Sequence, residues 1–461
     1  CVPLNLFGGP GTITQEMLDY ISYVGTAQNM YSQNTYHVSA KNQELFEVPA
    51  GYVGLLLGYE SREEEGKYIP DPYTAAGDTT GNKGGPTSGS YTVDEVFIEV
   101  NAPIIEGLIL NVAGRTSDYS NFGSTTNLKY GLRYDIIEGV LAVRGTMSEA
   151  FNAPSISSMF AGQSDSFPAA YDPCSSVNGD YATNPVVQAN CDADGVGATG
   201  DPSSQLRTRV GGNPDLLPET ADTVTFGIVY QPLDELAINV DYFSYEIVDT
   251  VGSLGATGVL GACYYSANRS RCDKIERVNG LITNIFATTT NIGLVKNEGI
   301  DVQVDYGFDT SFGRFDISAD YTKLNKYEIG SPSSDGTSTV ITDCVDVYDC
   351  GVIIDGRLIV DLDWSYDQMS SRIRLNRYPS FEECQGDNCN NESSVRRDIE
   401  EVTYVSASFG YNFEQGTTAT VVVSNLLDEH PPKIYNAFYS ARDVSYDFIG
   451  RYIGLTVRHD F

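Results

Sequence analysis

The chain has 461 residues, and its 28 Lys and Arg against 62 Asp and Glu give a formal net charge of −34. Because duplex nucleic acid is bound through clustered Lys and Arg side chains, this balance argues against nucleic acid as a partner. No apolar run approaches the roughly 18 residues that a membrane-spanning helix needs, so the chain can cross a membrane only with β-strands.

Fifteen segments alternate between apolar and polar residues, and this period of two predicts strands. The segments are, in chain order, 24–40, 51–62, 91–102, 106–117, 124–136, 140–152, 219–230, 235–249, 295–306, 314–328, 352–365, 367–379, 400–413, 417–426 and 448–461. In the fifth, Leu128 and Leu132 fall on one face while Lys129 and Arg133 fall on the other. A transmembrane barrel needs an apolar outer face and a polar lumen, and 31 Tyr and 19 Phe suit its interfacial girdles. A soluble β-sandwich also alternates, so the pattern alone leaves both open.

The predicted connections between these strands alternate in length. Short turns rich in Gly, Pro, Asp and Glu fall at 103–107, 137–139, 231–234, 307–313 and 414–416. Long loops fall at 153–218, 250–294, 329–351, 380–399 and 427–447. Outer-membrane barrels have short periplasmic turns and long extracellular loops, so a periplasmic Phe461 places all nine cysteines on the extracellular side. A sandwich gives no reason for this one-sided distribution, and we therefore predict an all-β, antiparallel transmembrane barrel.

Eight of the nine cysteines lie in close pairs. Proximity suggests Cys174–Cys191, Cys263–Cys272, Cys344–Cys350 and Cys384–Cys389, although many other connectivities are formally possible. No pair has the CxxC spacing, and only three His are present, which argues against a zinc site. Small disulfide-closed extracellular loops, formed in an oxidising compartment, are the prediction.

Cys1 is left without a neighbour. It is either the lipidated first residue of a lipoprotein or the partner of a cysteine upstream, in a chain that begins within a longer protein. No catalytic arrangement emerges either, because GxSxG, HExxH and GxxxxGK[ST] are all absent and the three histidines lie far apart. The sequence predicts no enzyme, no cofactor and no metal site.

Several short stretches are more specific than the alternation. Residues 212–220 read GNPDLLPET, and residues 144–156 read RGTMSEAFNAPSI. The first resembles the Gly-Asn-Pro-x-Leu-x-Pro-Glu motif that leads into a barrel strand of TonB-dependent outer-membrane receptors. The second resembles the strand of that family that ends in a Phe-Arg-Ala-Pro corner, with Asn152 in place of the usual Arg.

The carboxy-terminal part of the chain carries the same resemblance. Residues 423–428, VSNLLD, are similar to the Asn-Leu-Phe-Asp of the family's penultimate strand, and Phe461 fits its carboxy-terminal assembly signal. The opening residues 1–9, CVPLNLFGG, look like an internal loop of large family members. The resemblance covers residues 1–461.

The resemblance implies a transporter barrel of 22 strands that encloses a plug domain. Fifteen strands are predicted here, and nothing resembles the plug or its TonB box. We therefore expect residues 1–461 to be the carboxy-terminal part of a receptor barrel, with the plug and first strands upstream and Cys1 as the candidate disulfide link to them.

The function that the resemblance implies is TonB-dependent uptake of a scarce solute across the outer membrane of a Gram-negative bacterium. Siderophores, cobalamin and oligosaccharides are the implied substrates. The implied partners are the plug, the TonB complex acting through it, membrane lipid, lipopolysaccharide and a small solute. A passive porin or surface-binding barrel without energy coupling is the alternative, and a soluble secreted sandwich is a third.

Two sets of side chains could meet a solute or the plug. Basic residues on the polar faces of predicted strands would pair with lumen carboxylates such as Asp301, Asp305, Asp316 and Asp320, or with the plug, or would guide an anionic ligand; they are Arg115, Lys129, Arg133, Arg144, Arg372 and Arg374. Loop residues that would contact a ligand, or would only pack the loops together, are Phe160, Phe167, Tyr171, Tyr264, Tyr265, Arg269 and Arg271. Trp364 is expected to face outward as an anchor in lipid.

Overall fold

The computed structural model describes residues 2–267, 269–333, 339–348, 350–383, 398–414, 416–434 and 443–460. Its α-helices are α1 (Gln15–Ile21), α2 (Pro72–Ala76), α3 (Ile156–Phe160), α4 (Pro185–Ala193) and α5 (Gly255–Tyr264). A short 3₁₀-helix covers Cys272–Lys274. No helix in the described part of the chain is long and apolar enough to cross a membrane.

Strands make up most of the described structure. They are β1 (Gln28–Val48), β2 (Gly51–Ile69), β3 (Thr87–Ile105), β4 (Leu108–Tyr119), β5 (Gly123–Ile137), β6 (Leu141–Asn152), β7 (Ser164–Ser166), β8 (Thr208–Val210), β9 (Glu219–Leu233), β10 (Leu236–Gly252), β11 (Ile275–Val278), β12 (Leu281–Phe286), β13 (Thr290–Thr310), β14 (Gly313–Pro332), β15 (Thr339–Asp343), β16 (Gly356–Tyr366), β17 (Met369–Tyr378), β18 (Phe381–Glu382), β19 (Asp398–Ile399), β20 (Val402–Phe413), β21 (Thr417–Ser424) and β22 (Tyr452–His459).

Sixteen of these strands form one antiparallel sheet. Fifteen follow one another in the order β1-β2-β3-β4-β5-β6-β9-β10-β13-β14-β16-β17-β20-β21-β22, and β15 pairs with β14 beside this path. Each of the fifteen predicted segments is one of the fifteen strands, so the predicted all-β antiparallel fold is confirmed. The bounds differ: β1 continues to Val48, well beyond its predicted end, and four of the five predicted long loops contain helices or short strands among their described residues.

The large sheet has an apolar face and a polar face. On β3, Val96 and Ile98 lie on the apolar face and are 60% and 46% exposed, whereas Glu95 on the polar face is buried. On β22, Ile453 and Leu455 lie on the apolar face and are likewise exposed. Large apolar side chains repeated on the outer face of successive strands fit contact with hydrocarbon.

The two ends of the large sheet differ. At one, here called the short-turn end, neighbouring strands are joined by tight turns such as 311–312 and 367–368; at the other, the long-loop end, most connections are long. Aromatic rings cluster near the short-turn end of β13, β14, β16 and β20 and include Tyr306, Phe308, Phe315, Trp364, Tyr366, Tyr411 and Phe413. Membrane barrels typically carry such a girdle of aromatic side chains near each end of the strands.

Three of the expected disulfides are present, all at the long-loop end. They are Cys174–Cys191, Cys263–Cys272 and Cys344–Cys350. Cys1, Cys384, Cys389 and Phe461 lie outside the described residues. The six described cysteines therefore share one end of the sheet, as the order of short and long connections predicts.

The sheet also has two edges. Within the described residues β1 pairs with β2 alone and β22 pairs with β21 alone. The outer edge of β1 offers backbone donors and acceptors along its whole length, Gln28–Val48.

Candidate functional site

Basic side chains on the polar face bind carboxylates of the same sheet. Arg144 on β6 donates two hydrogen bonds, of 2.9 and 2.6 Å, to Asp241 on β10. Arg133 on β5 binds Asp135 two positions along its own strand, at 2.9 Å. Lys129, one of the predicted lumen cations, is exposed on β5 and forms no ion pair with any described residue.

Arg372 and Arg374 on β17 are each held by a carboxylate of β16. Arg372 donates to both oxygens of Asp363 at 2.6 and 3.0 Å, and Arg374 donates to both oxygens of Asp361 at 2.7 Å. In the strand register each Arg is directly opposite its Asp. Directly opposed side chains have Cβ atoms about 5 Å apart, which suits a bidentate pair.

The expected acidic partners are engaged elsewhere. Asp301 accepts a hydrogen bond from the Thr322 hydroxyl at 2.6 Å, and Asp305 accepts one from Ser318 at 2.7 Å. Asp316 binds Arg314, which is two residues away on the same strand, β14. Asp301 and Asp305 therefore bind neighbouring hydroxyl groups, and Asp316 binds a cation that was not among the predicted ones.

A tighter polar network lies on β3 and β4. The Glu95 carboxylate has 5% of its side chain exposed and binds the Arg115 guanidinium. It also accepts a hydrogen bond of 2.5 Å from the buried Ser117 hydroxyl. The Arg115 guanidinium lies 5.3 Å from the centre of the Phe97 ring, a cation–π distance. Glu95, Arg115 and Ser117 on this part of the polar face are thus joined in one hydrogen-bonded network.

Three loops at the long-loop end pack into one unit, here called the loop body, which comprises residues 70–86, 153–218 and 253–289. A hydrophobic core draws on the last two loops, with Val187 and Leu206 from one and Leu260 and Ile285 from the other. A small sheet of order β11-β12-β8-β7 also joins them, because β8 and β12 pair in parallel. The predicted long loops 153–218 and 250–294 are thus folded in the part of the chain that the structure describes.

A buried ion pair lies at the centre of the loop body. Asp172, whose side chain is fully buried, accepts hydrogen bonds of 2.5 and 2.7 Å from Arg277 of the other loop. Asp172 also accepts hydrogen bonds from the backbone N–H groups of Cys174 and Asp201. Burial alone would lower the pKa of Arg277, but the hydrogen bonds and charge of Asp172 outweigh it and raise that pKa. The pair holds the two loops together.

Three predicted ligand residues of the third loop, 253–289, are engaged within the loop body. Tyr264 is 1% exposed, and burial raises its pKa to about 12. Its ring lies 5.1 Å beneath the Arg277 guanidinium, so it presents no surface to a ligand. Tyr265 donates its hydroxyl to Asp180 at 2.5 Å, and Arg269 forms an ion pair with Asp194.

The remaining predicted ligand residues are distributed over the loop body. Phe167 and Tyr171 are 44% and 56% exposed, so their rings are open to a solute. Phe160 is half-buried at the end of α3, packed against the large sheet. Arg271 is half-buried, with φ of 65°, at the start of the 3₁₀-helix. Of the seven predicted side chains, Phe167 and Tyr171 are the ones that the structure leaves exposed.

The GNPDLLPET stretch has a structural role that the sequence did not reveal. Asn213 donates its side-chain amide to the Thr289 carbonyl at 3.1 Å, and Asn291 accepts from the Leu217 backbone N–H at 2.9 Å. The Glu219 carboxylate accepts a hydrogen bond of 2.7 Å from the backbone N–H of Val251. The stretch therefore ties the loop body to the ends of β9, β10 and β13.

The sequence and the fold are both similar to those of known proteins. A family model described as TonB dependent receptor-like, beta-barrel matches residues 7–426. No functionally curated protein matches the sequence. Among solved structures, the siderophore receptor PirA of Acinetobacter baumannii is similar with a TM-score of 0.61 and 15% identity, over 94% of this chain and 55% of that one.

Two further structures show the same fold. A mutant ferric enterobactin receptor, PfeA, of Pseudomonas aeruginosa gives a TM-score of 0.62 at 14% identity, over 93% of this chain and 54% of that one. The outer membrane transporter YddB of Escherichia coli gives 0.58 at 8% identity, over 94% and 54%. The chain thus spans about half the length of the structures that it matches. With a family match over most of its length, the chain belongs to the TonB-dependent receptor-like β-barrel family.

Proposed function

We propose that the chain is part of the barrel of a TonB-dependent transporter that carries a scarce solute across the outer membrane of a Gram-negative bacterium. The observation that carries the proposal is the family match over residues 7–426, on a sheet with one apolar and one polar face. One structural neighbour is named as a siderophore receptor and another as a ferric enterobactin receptor, and we therefore put siderophores first among the candidate solutes. Cobalamin and oligosaccharides are the other classes.

The unpaired strand edges support a second part of the proposal. In hydrocarbon each unsatisfied backbone group costs several kcal/mol, so membrane sheets close into barrels without edges. We infer that further strands of the same receptor cover the outer edges of β1 and β22, and that a plug domain occupies the enclosed polar face. In this arrangement Cys1 is a candidate for a disulfide to the preceding segment.

The membrane partners follow from the same orientation. The exposed apolar face, with Val96 and Ile98 as examples, would contact lipid, and its long-loop end would lie among lipopolysaccharide molecules. TonB would act through the plug rather than through the residues described. Phe167 and Tyr171 are the loop side chains that would meet a solute first.

The decisive experiment compares uptake by cells that carry the complete receptor gene, with and without a functional TonB. The probes are radiolabelled ferric siderophores, cyanocobalamin and maltooligosaccharides, each given well below 1 μM in a strain deleted for other receptors. Uptake of one probe that requires both the receptor and TonB supports the proposal. Uptake that continues without TonB and does not saturate would instead identify a passive porin.

A further inference from the structure

The loop body is seated on the polar face of the large sheet, at its long-loop end. Ile156 and Met159 of α3 share a hydrophobic cluster with Val93 of β3 and Tyr119 of β4. Val93 and Tyr119 are directly opposite each other in the register, on the same face as Glu95. The loop that contains α3 therefore folds inward over the polar face instead of standing away from the sheet.

Two glycines form the seat. Gly66 of β2 and Gly89 of β3 are directly opposite in the register. A Cβ atom at Gly66 would lie 2.9 Å from Cγ2 of Ile156, and a Cβ atom at Gly89 would collide with the Phe160 ring. Ile156 and Phe160 are four residues apart and share one side of α3. The flat surface left by the two glycines thus matches this side of the helix.

The three loops of the loop body are tied to one another as well as to the seat. The backbone N–H of Asp165 donates to the Lys83 carbonyl at 2.8 Å, which joins the first two loops. The Asp172–Arg277 pair and the β8–β12 pairing join the second and third. Lifting α3 would expose Val93 and Met159, each 1% exposed, and would carry all three loops with it.

We propose that the loop body is a fixed partition of the barrel mouth and not a lid. It stays on the Gly66–Gly89 seat whether or not the receptor is energised. The proposal rests on the proposed function for its setting in a transporter. Its test measures access to the seat and does not require the solute to be known.

The test is cysteine labelling of the complete receptor in intact cells with a membrane-impermeant maleimide. In Val93→Cys the new thiol lies under α3. In Tyr171→Cys it lies on the exposed surface of the loop body. The unsubstituted receptor measures background labelling. Because reaction requires access to the thiol, we expect Val93→Cys to react at least roughly tenfold more slowly than Tyr171→Cys. The rate should be the same in cells with and without TonB.

A second substitution shows what covers Val93. Gly89→Leu places a side chain where the Phe160 ring lies, so it should unseat α3 and accelerate labelling of Val93→Cys. Ser90→Leu, at the next residue and on the opposite face, is the matched control and should leave the rate unchanged. A slow rate that persists in Gly89→Leu would show that something other than the loop body covers Val93, and would contradict the proposal.

Two further results would overturn the proposal. One is rapid labelling of Val93→Cys in the otherwise unchanged receptor, or labelling that rises when TonB is active, because either identifies a moving lid. The other is fast hydrogen exchange, in the unsubstituted receptor, of the Met159, Gly212 and Asn213 amides, which are bonded within this loop. This exchange measurement needs no variant. If the receptor shows no TonB-dependent uptake but Val93→Cys is still labelled slowly, the transport function is refuted and the partition proposal stands.

Discussion

Arg144 on β6 and Asp241 on β10 form a bidentate ion pair across the strand between them, and Gly227 of that strand leaves the space that the pair occupies. Gly227 is directly opposite both residues in the register. A Cβ atom there would collide with the Asp241 carboxylate and lie 3.0 Å from Nε of Arg144. A glycine on the polar face thus lets an Arg and an Asp side chain meet over the strand between them.

Gly227→Ala should therefore disturb the ion pair without altering either charge. The pair is about half exposed at Arg144, so its own contribution is small, and steric displacement adds to the loss. We expect the free energy of unfolding to fall by roughly 1–2 kcal/mol. Urea unfolding of the receptor in detergent, followed by the mobility difference between folded and unfolded barrels on gels, measures it.

Gly145→Ala is the matched control for this substitution. Gly145 adjoins Arg144 on the opposite face, and the nearest atom to its would-be Cβ is 3.6 Å away, an ordinary contact. A double-mutant cycle with Asp241→Ala isolates the coupling, since the added methyl group should cost less once the carboxylate is gone. Equal losses from Gly227→Ala in both backgrounds would show that the ion pair is not what the glycine accommodates.

The buried Asp172–Arg277 pair at the centre of the loop body should contribute far more to stability than the Arg144–Asp241 pair. Asp172→Ala leaves the Arg277 guanidinium, which is 11% exposed, without its carboxylate. Removing one partner of a buried ion pair lowers the free energy of unfolding by about 3–5 kcal/mol. Asp194→Ala removes the more exposed partner of Arg269 and should cost at most about 1 kcal/mol. Hydrogen exchange of the Ile285 and Ala287 amides, which link the two loops, reports the local loss. Similar protection in both variants would refute the central role of the Asp172–Arg277 pair.

The fifteen strands could be predicted because each depends on its own alternation, which the solvent on either side of the sheet imposes residue by residue. The close cysteine pairs could be suggested for a similar reason, since each described disulfide closes a short stretch of chain. The loop body could not be predicted. Asp172 and Arg277 are 105 positions apart, and no local pattern marks them as partners.

The polar face shows the same limit. Its basic residues could be assigned to one face from alternation alone, but their partners depend on register and on small residues that let side chains cross a strand. Arg372 and Arg374 bind Asp363 and Asp361 because these are directly opposite in the register. Tyr264 likewise reads from sequence as a loop aromatic available to a ligand, whereas long-range packing makes it a core residue.

The burial of Tyr264 also sets a pH dependence. Burial raises the pKa of its phenol to about 12, above the value near 10 of an unfolded tyrosine. The folded loop body therefore holds this proton more tightly than the unfolded chain does. Its contribution to stability is complete below pH 10 and is lost as the pH rises towards 12.

A difference titration tests this assignment. The near-ultraviolet absorbance of phenolate, recorded for the receptor and for Tyr264→Phe, should differ by one group that ionises near pH 12. Tyr265→Phe is a control for a neighbouring phenol whose pKa is raised by burial and by its hydrogen bond to Asp180. A difference centred near pH 10 would mean that Tyr264 is exposed to water and that the loop core is not closed around it.

Trp364 tests which face of the sheet meets lipid, and it is the only Trp in this chain. It lies on the apolar face near the short-turn end, and its indole N–H donates to the Phe312 carbonyl at 2.8 Å. In vesicles with brominated acyl chains we expect the emission lost in Trp364→Phe to be strongly quenched, whereas aqueous iodide should quench it little, because the apolar face turns the ring towards the acyl chains. Trp364→Phe keeps an aromatic ring at the position, so the difference between the two spectra isolates this one side chain. Quenching by iodide without quenching by bromine would place the ring in an aqueous lumen, and every face assignment made from the register would then be reversed.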